Sequence, residues 1–228
     1  MGLRDELEEE VGKIFRSSWA ERDGEKVPES EDLKLSNDAV KLDAVVLYAD
    51  IASSTEMVRK LAAQPAAELY KSFLYCAARI IRAEDGVVTA YDGDRVMGVF
   101  FKGAMNTNAA RAALKINWAR QELVVPGFKK IYSSSDYQVQ HVTGIDRSKL
   151  FVARTGVRGA NDLVWVGRAA NRAAKLAALA PSHASRITAD VYNSMLDEAK
   201  YSSDGKNMWE AATWDGVDIY RSTWRWAL

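Results

Sequence analysis

The chain has 228 residues, enough for one large domain or two small ones and for a sizeable buried core. Its 31 basic and 31 acidic residues cancel, so no overall charge draws it toward nucleic acid or a membrane surface. No apolar run approaches the ~20 residues of a membrane helix, the charged start Met1-Gly2-Leu3-Arg4-Asp5-Glu6 is unlike a signal peptide, and a lone cysteine, Cys76, excludes an internal disulfide and suits a reducing compartment. A soluble, cytoplasmic, globular protein is expected, with Cys76 as packing in an apolar helical run.

In chain order, Leu3, Leu7, Val11, Phe15 and Trp19 recur every four residues and predict a helix over 3–20. The polar stretch 21–37, with Pro28, reads as a linker. Residues 1–40 are therefore expected as an N-terminal helix and linker appended to a domain over 41–228. That domain opens on a strand (42–50) ending at Asp50. Ser53 or Ser54 is placed to cap the next helix, and Ser53 with Glu56 has capping-box spacing. Helices over 54–63 and 66–84 follow, then strands over 86–91 and 94–101 around Asp92-Gly93-Asp94, a helix over 105–124, and strands over 137–144 and 149–155. The remainder predicts a short strand near 162–166, a helix over 168–180, a strand near 185–188, a helix near 189–198 and a hairpin over 208–223. The order is that of a ferredoxin-like βαββαβ core, an α+β fold, with a short N-terminal helix and a C-terminal hairpin. Trp209, Trp214, Trp224 and Trp226, in the last hairpin and tail, read as packing rather than a ligand platform.

Chemistry concentrates at two turns and one helix. Strand side chains two apart share a face, so Tyr48 and Asp50 point the same way. A hairpin that brings Asp94 beside Asp50 would supply paired carboxylates for divalent metal against a triphosphate. Singly, each acid has a plainer role, Asp50 as a helix cap and Asp92-Gly93 as a turn signal. Asn171 and Lys175, four apart, share one helix face, which by itself also describes the polar side of an Ala-rich surface helix. His141 and His183 fit neither a general base nor a metal ligand.

The strand ending Tyr48-Ala49-Asp50-Ile51 before a Ser-Thr helix start, the Gly93-Asp94 hairpin, and Asn171 four residues before a cation together resemble the catalytic domain of class III nucleotidyl cyclases, over about residues 41–223. The resemblance implies that Asp50 and Asp94 hold two Mn or Mg ions with the backbone carbonyl of Ile51. It implies that the amides from Ala52 through Ser53, Ser54 and Thr55 receive the triphosphate, and that Asn171 orients the ribose. Lys175 stands where the family has a transition-state Arg, a point charge in place of a bidentate fork. Either Lys175 suffices or another cation such as Arg154 or Arg158 assists. The acids and the Asn-bearing helix come from opposite subunits in the family, which implies a homodimer with two shared sites.

Purine cyclases of the family read the base with polar side chains at positions matching Ala90 and Val164, and both readers are missing here. Tyr48, on the Asp50 face, and Arg95, beside Asp94, are the polar residues left to contact a smaller, carbonyl-rich base. This pattern resembles the bacterial pyrimidine cyclases of Pycsar antiphage systems, whose cyclic nucleotide acts on a separate effector that kills the cell. Uracil offers two carbonyl acceptors to an all-donor Arg, so UTP is expected before CTP. The alternatives are an adenylate cyclase with atypical base recognition and a degenerate nucleotide-binding module. A nucleic-acid-binding ferredoxin-like domain is disfavoured by the absence of a basic stripe.

Overall fold

The computed structural model describes residues 2–228. Helix α1 (Leu3–Arg16) buries none of its residues and leads into a short strand, β1 (Ala20–Asp23). Strand β2 (Asp38–Ile51) is buried on both faces over most of its length. Val45, Leu47, Ala49 and Ile51 enter one apolar cluster, while Ala44 and Val46 enter a second, with Tyr48 packed against it. A strand covered on both sides needs apolar residues at successive positions, which is why this stretch reads as a nearly continuous apolar run.

From β2 the chain passes through α2 (Ser54–Lys60) and α3 (Ala63–Ala83) to a hairpin, β3 (Val87–Asp92) and β4 (Arg95–Phe101). Helix α4 (Met105–Ala119) continues through a π turn at Arg120–Val124 into α5 (Val125–Ile131), and β5 (His141–Val157) completes the core. The strands lie in the order β3-β4-β2-β5, with β2 antiparallel to β4 and β5. This fourth-last arrangement around a central first strand is the expected ferredoxin-like core. On one face Leu69, Phe73, Ala77 and Ile81 of α3 and the alanines of α4 cover β2. On the other, Ala169 and Ala173 of α6 (Arg168–Ala177) cover it together with Val27 and Leu33. Strand β6 (Ala160–Val166) folds back on β5, and β7 (Ser185–Thr188), α7 (Ala189–Ser194), β8 (Glu210–Trp214) and β9 (Val217–Ser222) extend the sheet in the order β5-β7-β9-β8. Trp209 is packing, as expected: it is buried and its indole donates to the carbonyl of Ala199 at 2.8 Å.

Four local expectations need correction. The helix expected over 3–20 ends at Arg16, and the end of that stretch and the start of the expected linker form β1, which pairs in parallel with the start of β2 from Ala20 opposite Asp38 to Asp23 opposite Lys41. All four β1 residues are exposed, so no apolar alternation announces an edge strand of this kind. The two strands expected over 137–144 and 149–155 are one, because the polar run Asp146-Arg147-Ser148-Lys149 stays extended. Arg147 pairs across the ladder with Asp43 at 2.8 Å, and the buried Asp146 accepts from Thr188 at 2.6 Å. The helix expected to end at 124 is carried to Ile131 by the π turn, which falls directly before Val125-Pro126. The Ser53–Glu56 capping box does not form. Ser53 takes left-handed φ/ψ (58°, 38°) with no side-chain cap bond, and Glu56 pairs with Lys60 at 2.9 Å instead.

Candidate active site

The end of β2 places Asp50 opposite Arg95 of β4 and Val142 of β5. The turn after β3 is a two-residue loop, Gly93-Asp94, with Gly93 at φ +61°, a conformation that favours glycine. This tight loop returns the chain so that the amide of Ile51 donates to the carbonyl of Asp94 at 3.3 Å. Asp50 and Asp94 are thereby neighbours, as the hairpin spacing predicts. Burial first, and then the charge of Asp94, push the Asp50 carboxyl up from 3.8 to about 6, against the opposing pull of Arg95.

Arg95 lies between Asp92 and the aromatic residue. Its guanidinium lies 5.6 Å from the ring centre of Tyr48, within cation–π range, and its Nε donates to Asp92 at 3.1 Å. The hydrogen bond to Asp92, and then its charge, hold Arg95 above its ordinary value, while burial lifts the Tyr48 phenol. Tyr48, Asp50 and Arg95 thus form one continuous group on the face of β2 and β4 opposite α3. Ala90 borders the same apolar cluster as Tyr48, following an irregularity in β3 between Val88 and Ala90. Thr89, at that irregularity, keeps a buried hydroxyl without a partner.

Two groups of the expected triphosphate cradle are otherwise engaged or newly joined. The amide of Ala52 donates to the carbonyl of Gln140 at 3.0 Å, so the expected row of free amides begins after it. Ser53 and Thr55 are exposed, and Ser54 approaches the phenol of Tyr70, which burial and then the charges of Asp94 and Asp50 raise above its usual value. Tyr70 comes from α3 and no motif pointed to it. Its only sequence signal is position, one residue after the buried Leu69.

The second group sits apart. Asn171 and Lys175 are exposed on α6, and Val164 is 39% exposed on the outer face of β6, whose Leu163 and Trp165 turn inward. Among the described residues no hydrogen bond or ion pair joins any of these three to Asp50, Asp94 or Tyr48, although α6 packs on the face of β2 that carries Tyr48. Helix α6 is nonetheless rigidly seated: the amide of Ala169 donates to the hydroxyl of Ser148 at 2.9 Å, and Arg168 reaches the buried Asp146 at 3.3 Å. Arg154 is committed to the fold, donating to Asn161 at 2.7 Å and to the carbonyl of Leu33 at 3.1 Å. His141 and His183 lie elsewhere: His141 packs beside Phe73 under the helices, and His183 pairs with Glu210 at 3.2 Å.

The acidic pair fits a divalent cation. The Oδ1 atom of Asp50 is buried without a hydrogen-bond partner, an acceptor left waiting for a positive charge. Among the described residues no three His, Cys, Asp or Glu side chains cluster to hold a metal alone. Two carboxylates that leave the remaining positions to water and phosphate are the ligand set of Mg or Mn at a nucleotide.

The same fold recurs in solved structures. The guanylyl cyclase Cya2 matches 81% of this chain with 93% of its own at a TM-score of 0.67 and 14% identity. The adenylyl cyclase CyaB from P. aeruginosa matches 81% of this chain with 95% of its own at a TM-score of 0.62 and 22% identity. The architecture is therefore that of a class III nucleotidyl cyclase catalytic domain. No family model matches the chain. Full-length relatives do: proteins named uridylate cyclase from Xanthomonas perforans and Burkholderia cepacia are 53% and 50% identical, each aligned over all of both chains. A uridylate cyclase from a Rhodovulum species is 37% identical over 99% of this chain and 98% of its own. The chain belongs to this uridylate cyclase family and is a nucleotidyl cyclase.

Proposed function

We propose that the protein is a homodimeric, metal-dependent uridylate cyclase that converts UTP to 3′,5′-cyclic UMP and pyrophosphate. The observation that carries the reading is the group Tyr48–Arg95–Asp50, an aromatic face and a guanidinium beside a carboxylate with an unpartnered buried oxygen. It lies in a chain whose full-length relatives are named for uridylate cyclisation.

The ribose 3′-hydroxyl gives its proton to solvent water and bonds to the α-phosphorus as the bond to pyrophosphate breaks. Asp50, Asp94 and the carbonyl of Ile51 would hold two Mn or Mg ions, which supply Lewis-acid activation of the hydroxyl and neutralise charge on the leaving group. Ser53, Ser54 and Thr55 face the triphosphate at the sharp left-handed turn into α2. Tyr48 and Arg95 contact the base, where the donors of Arg95 suit the carbonyls of uracil. Its bond to Asp92 fixes its orientation before substrate arrives. Ala90 and Val164 present no hydrogen-bonding group, which withholds from a purine the polar partners it would require. Asn171 orients the ribose and Lys175 places its charge at the phosphorus centre.

The exposure of Val164, Asn171 and Lys175 on one chain supports delivery to the acids of a second chain, giving two equivalent sites per dimer. Catalysis is assigned to residues 41–228, in the cytoplasm. No helix among the described residues is long and apolar enough to cross a membrane. Cyclic UMP is read as a second messenger in antiphage defence, acting on a separate effector to cause abortive infection.

The test is to incubate the purified protein with Mn and each of UTP, CTP, ATP and GTP, and to identify products by mass. Cyclic UMP from UTP, reduced by about 10²–10³ in an Asp50→Ala variant, is the expected result. Cyclic AMP alone would overturn the base assignment, and cyclic product undiminished in Asp50→Ala would overturn the metal site.

A further inference from the structure

Among the described residues, α1 is the only α-helix with no buried residue. Its apolar side chains are far from scattered. Leu7, Val11 and Ile14 are 56%, 51% and 48% exposed, and their spacing of four and then three is the seam of a paired helix. Leu3 extends the seam by one turn and is 71% exposed. Nothing in its own chain covers this stripe, although the helix is firmly tethered. The side-chain amide of Asn37 donates to the carbonyls of Ile14 at 2.8 Å and Ser17 at 2.9 Å, and Trp19 stands edge-on to Phe151 with ring centres 5.0 Å apart. The tether holds the last turn beside Leu35 and Asn37, where Ile14 is half-covered at the edge of a cleft, and leaves Leu3, Leu7 and Val11 open to solvent.

The charges along α1 say what fits the seam. Asp5 and Glu6 occupy the first turn and Lys13 and Arg16 the last, with Glu9 and Glu10 between, while Arg4 is matched within the helix by Glu8 at 2.8 Å. A second copy laid parallel would set acid against acid. Laid antiparallel, the acidic end of each helix meets the basic end of the other, and the two helix dipoles oppose. An antiparallel pair is also what a two-fold axis crossing the helix produces, and Leu7 then faces Ile14 of the second chain while Val11 faces its own counterpart.

We propose that α1 packs antiparallel against α1 of a second copy of this chain, as a two-helix clasp on the homodimer. The proposal rests on the homodimer reading above and adds to it an interface outside the catalytic face.

Disulfide trapping in the full-length protein tests it. In a Cys76→Ala background, Leu7→Cys, Val11→Cys and Ile14→Cys variants are oxidised singly, and tagged Leu7→Cys is mixed with untagged Ile14→Cys. Expected are a cross-link within the Val11→Cys variant, and a cross-link in the mixture that neither partner forms alone. Separately, Val11→Glu should raise the dimer dissociation constant about tenfold in sedimentation equilibrium. Cross-links within Leu7→Cys and within Ile14→Cys alone would overturn the antiparallel arrangement. A wild-type dimer with no cross-link at any of the three positions would overturn the clasp and spare the homodimer. A wild-type monomer at every concentration would overturn both.

Discussion

His141 is buried to 2% exposure with both ring nitrogens unpartnered, 5.4 Å from the ring of Phe73, and burial pushes its pKa down from 6.5 to about 3. The unfolded chain therefore takes up a proton below pH 6.5 that the folded chain refuses. Stability present above that pH is lost as pH falls toward the folded value. From pH 7.5 to 5 the wild type should lose about 2 kcal/mol more than a His141→Phe variant, read from urea unfolding at the two pH values. Equal losses would show that the imidazole is not the source. Asp50 titrates in the opposite sense: its raised value means the folded chain keeps the proton up to about pH 6, so stability falls as pH rises from 3.8 toward that value. At this scale the sequence was informative where signals are short. An acid at a strand end and a Gly-Asp loop are local patterns, and their meeting follows from one hairpin. The bond from Arg95 to Asp92 and the approach of Tyr70 to Ser54 were not legible, because they depend on a rotamer and on how α3 seats against β2.

Helix α6 lies so close to β5 that a Cβ added at Gly144 would stand 2.2 Å from the carbonyl oxygen of Ala173 and 2.5 Å from the amide nitrogen of Ala177. Both are backbone atoms and cannot swing aside. Gly144→Ala should therefore lift α6 from the sheet, costing about 1–3 kcal/mol of stability. Cyclase activity should fall further than the loss of folded protein accounts for, since Asn171 and Lys175 travel with the helix. Denaturant titration and a turnover assay on the folded fraction check both statements, and unaltered turnover would mean that the seating of α6 is irrelevant to catalysis. The continuity of β5 was illegible for a related reason. Asp146-Arg147-Ser148-Lys149 has the composition of a turn, and only tertiary partners, Asp43, Thr188 and the start of α6, hold it extended. The order of the core elements was legible because each has a strong period of its own. Phe73, Ala77 and Ile81 recur every four residues in α3, while β2 is apolar throughout.

For the molecule as a whole, the separation of Asp50 and Asp94 from Asn171 and Lys175 leads to a mixing experiment. Asp50→Ala and Asn171→Ala homodimers should each be inactive. Mixed in equal amounts and allowed to exchange, half of the dimers carry one chain of each kind and hold one intact site, so about a quarter of wild-type activity should return. No recovery after verified exchange would place each site within one chain. The proposed sharing entered the sequence analysis only through the family resemblance, because exposed polar residues on a helix look the same whether water or a second subunit covers them. Strand β2 has a mechanical consequence as well. Its first residues pair with β1, next to α1, and its far end carries Asp50, so 14 residues of one unbroken strand join the two. At the rise of an extended chain this is a strut about 45 Å long. Strand β5 pairs with it from Ala39 to Ile51, while β1 (to Lys41) and β4 (from Ala44 to Asp50) hold its other edge, and it has no hinge along it. A push or twist delivered at the amino-terminal helix is therefore carried to the Asp50 carboxylate as motion of a stiff rod rather than dissipated in a flexible joint.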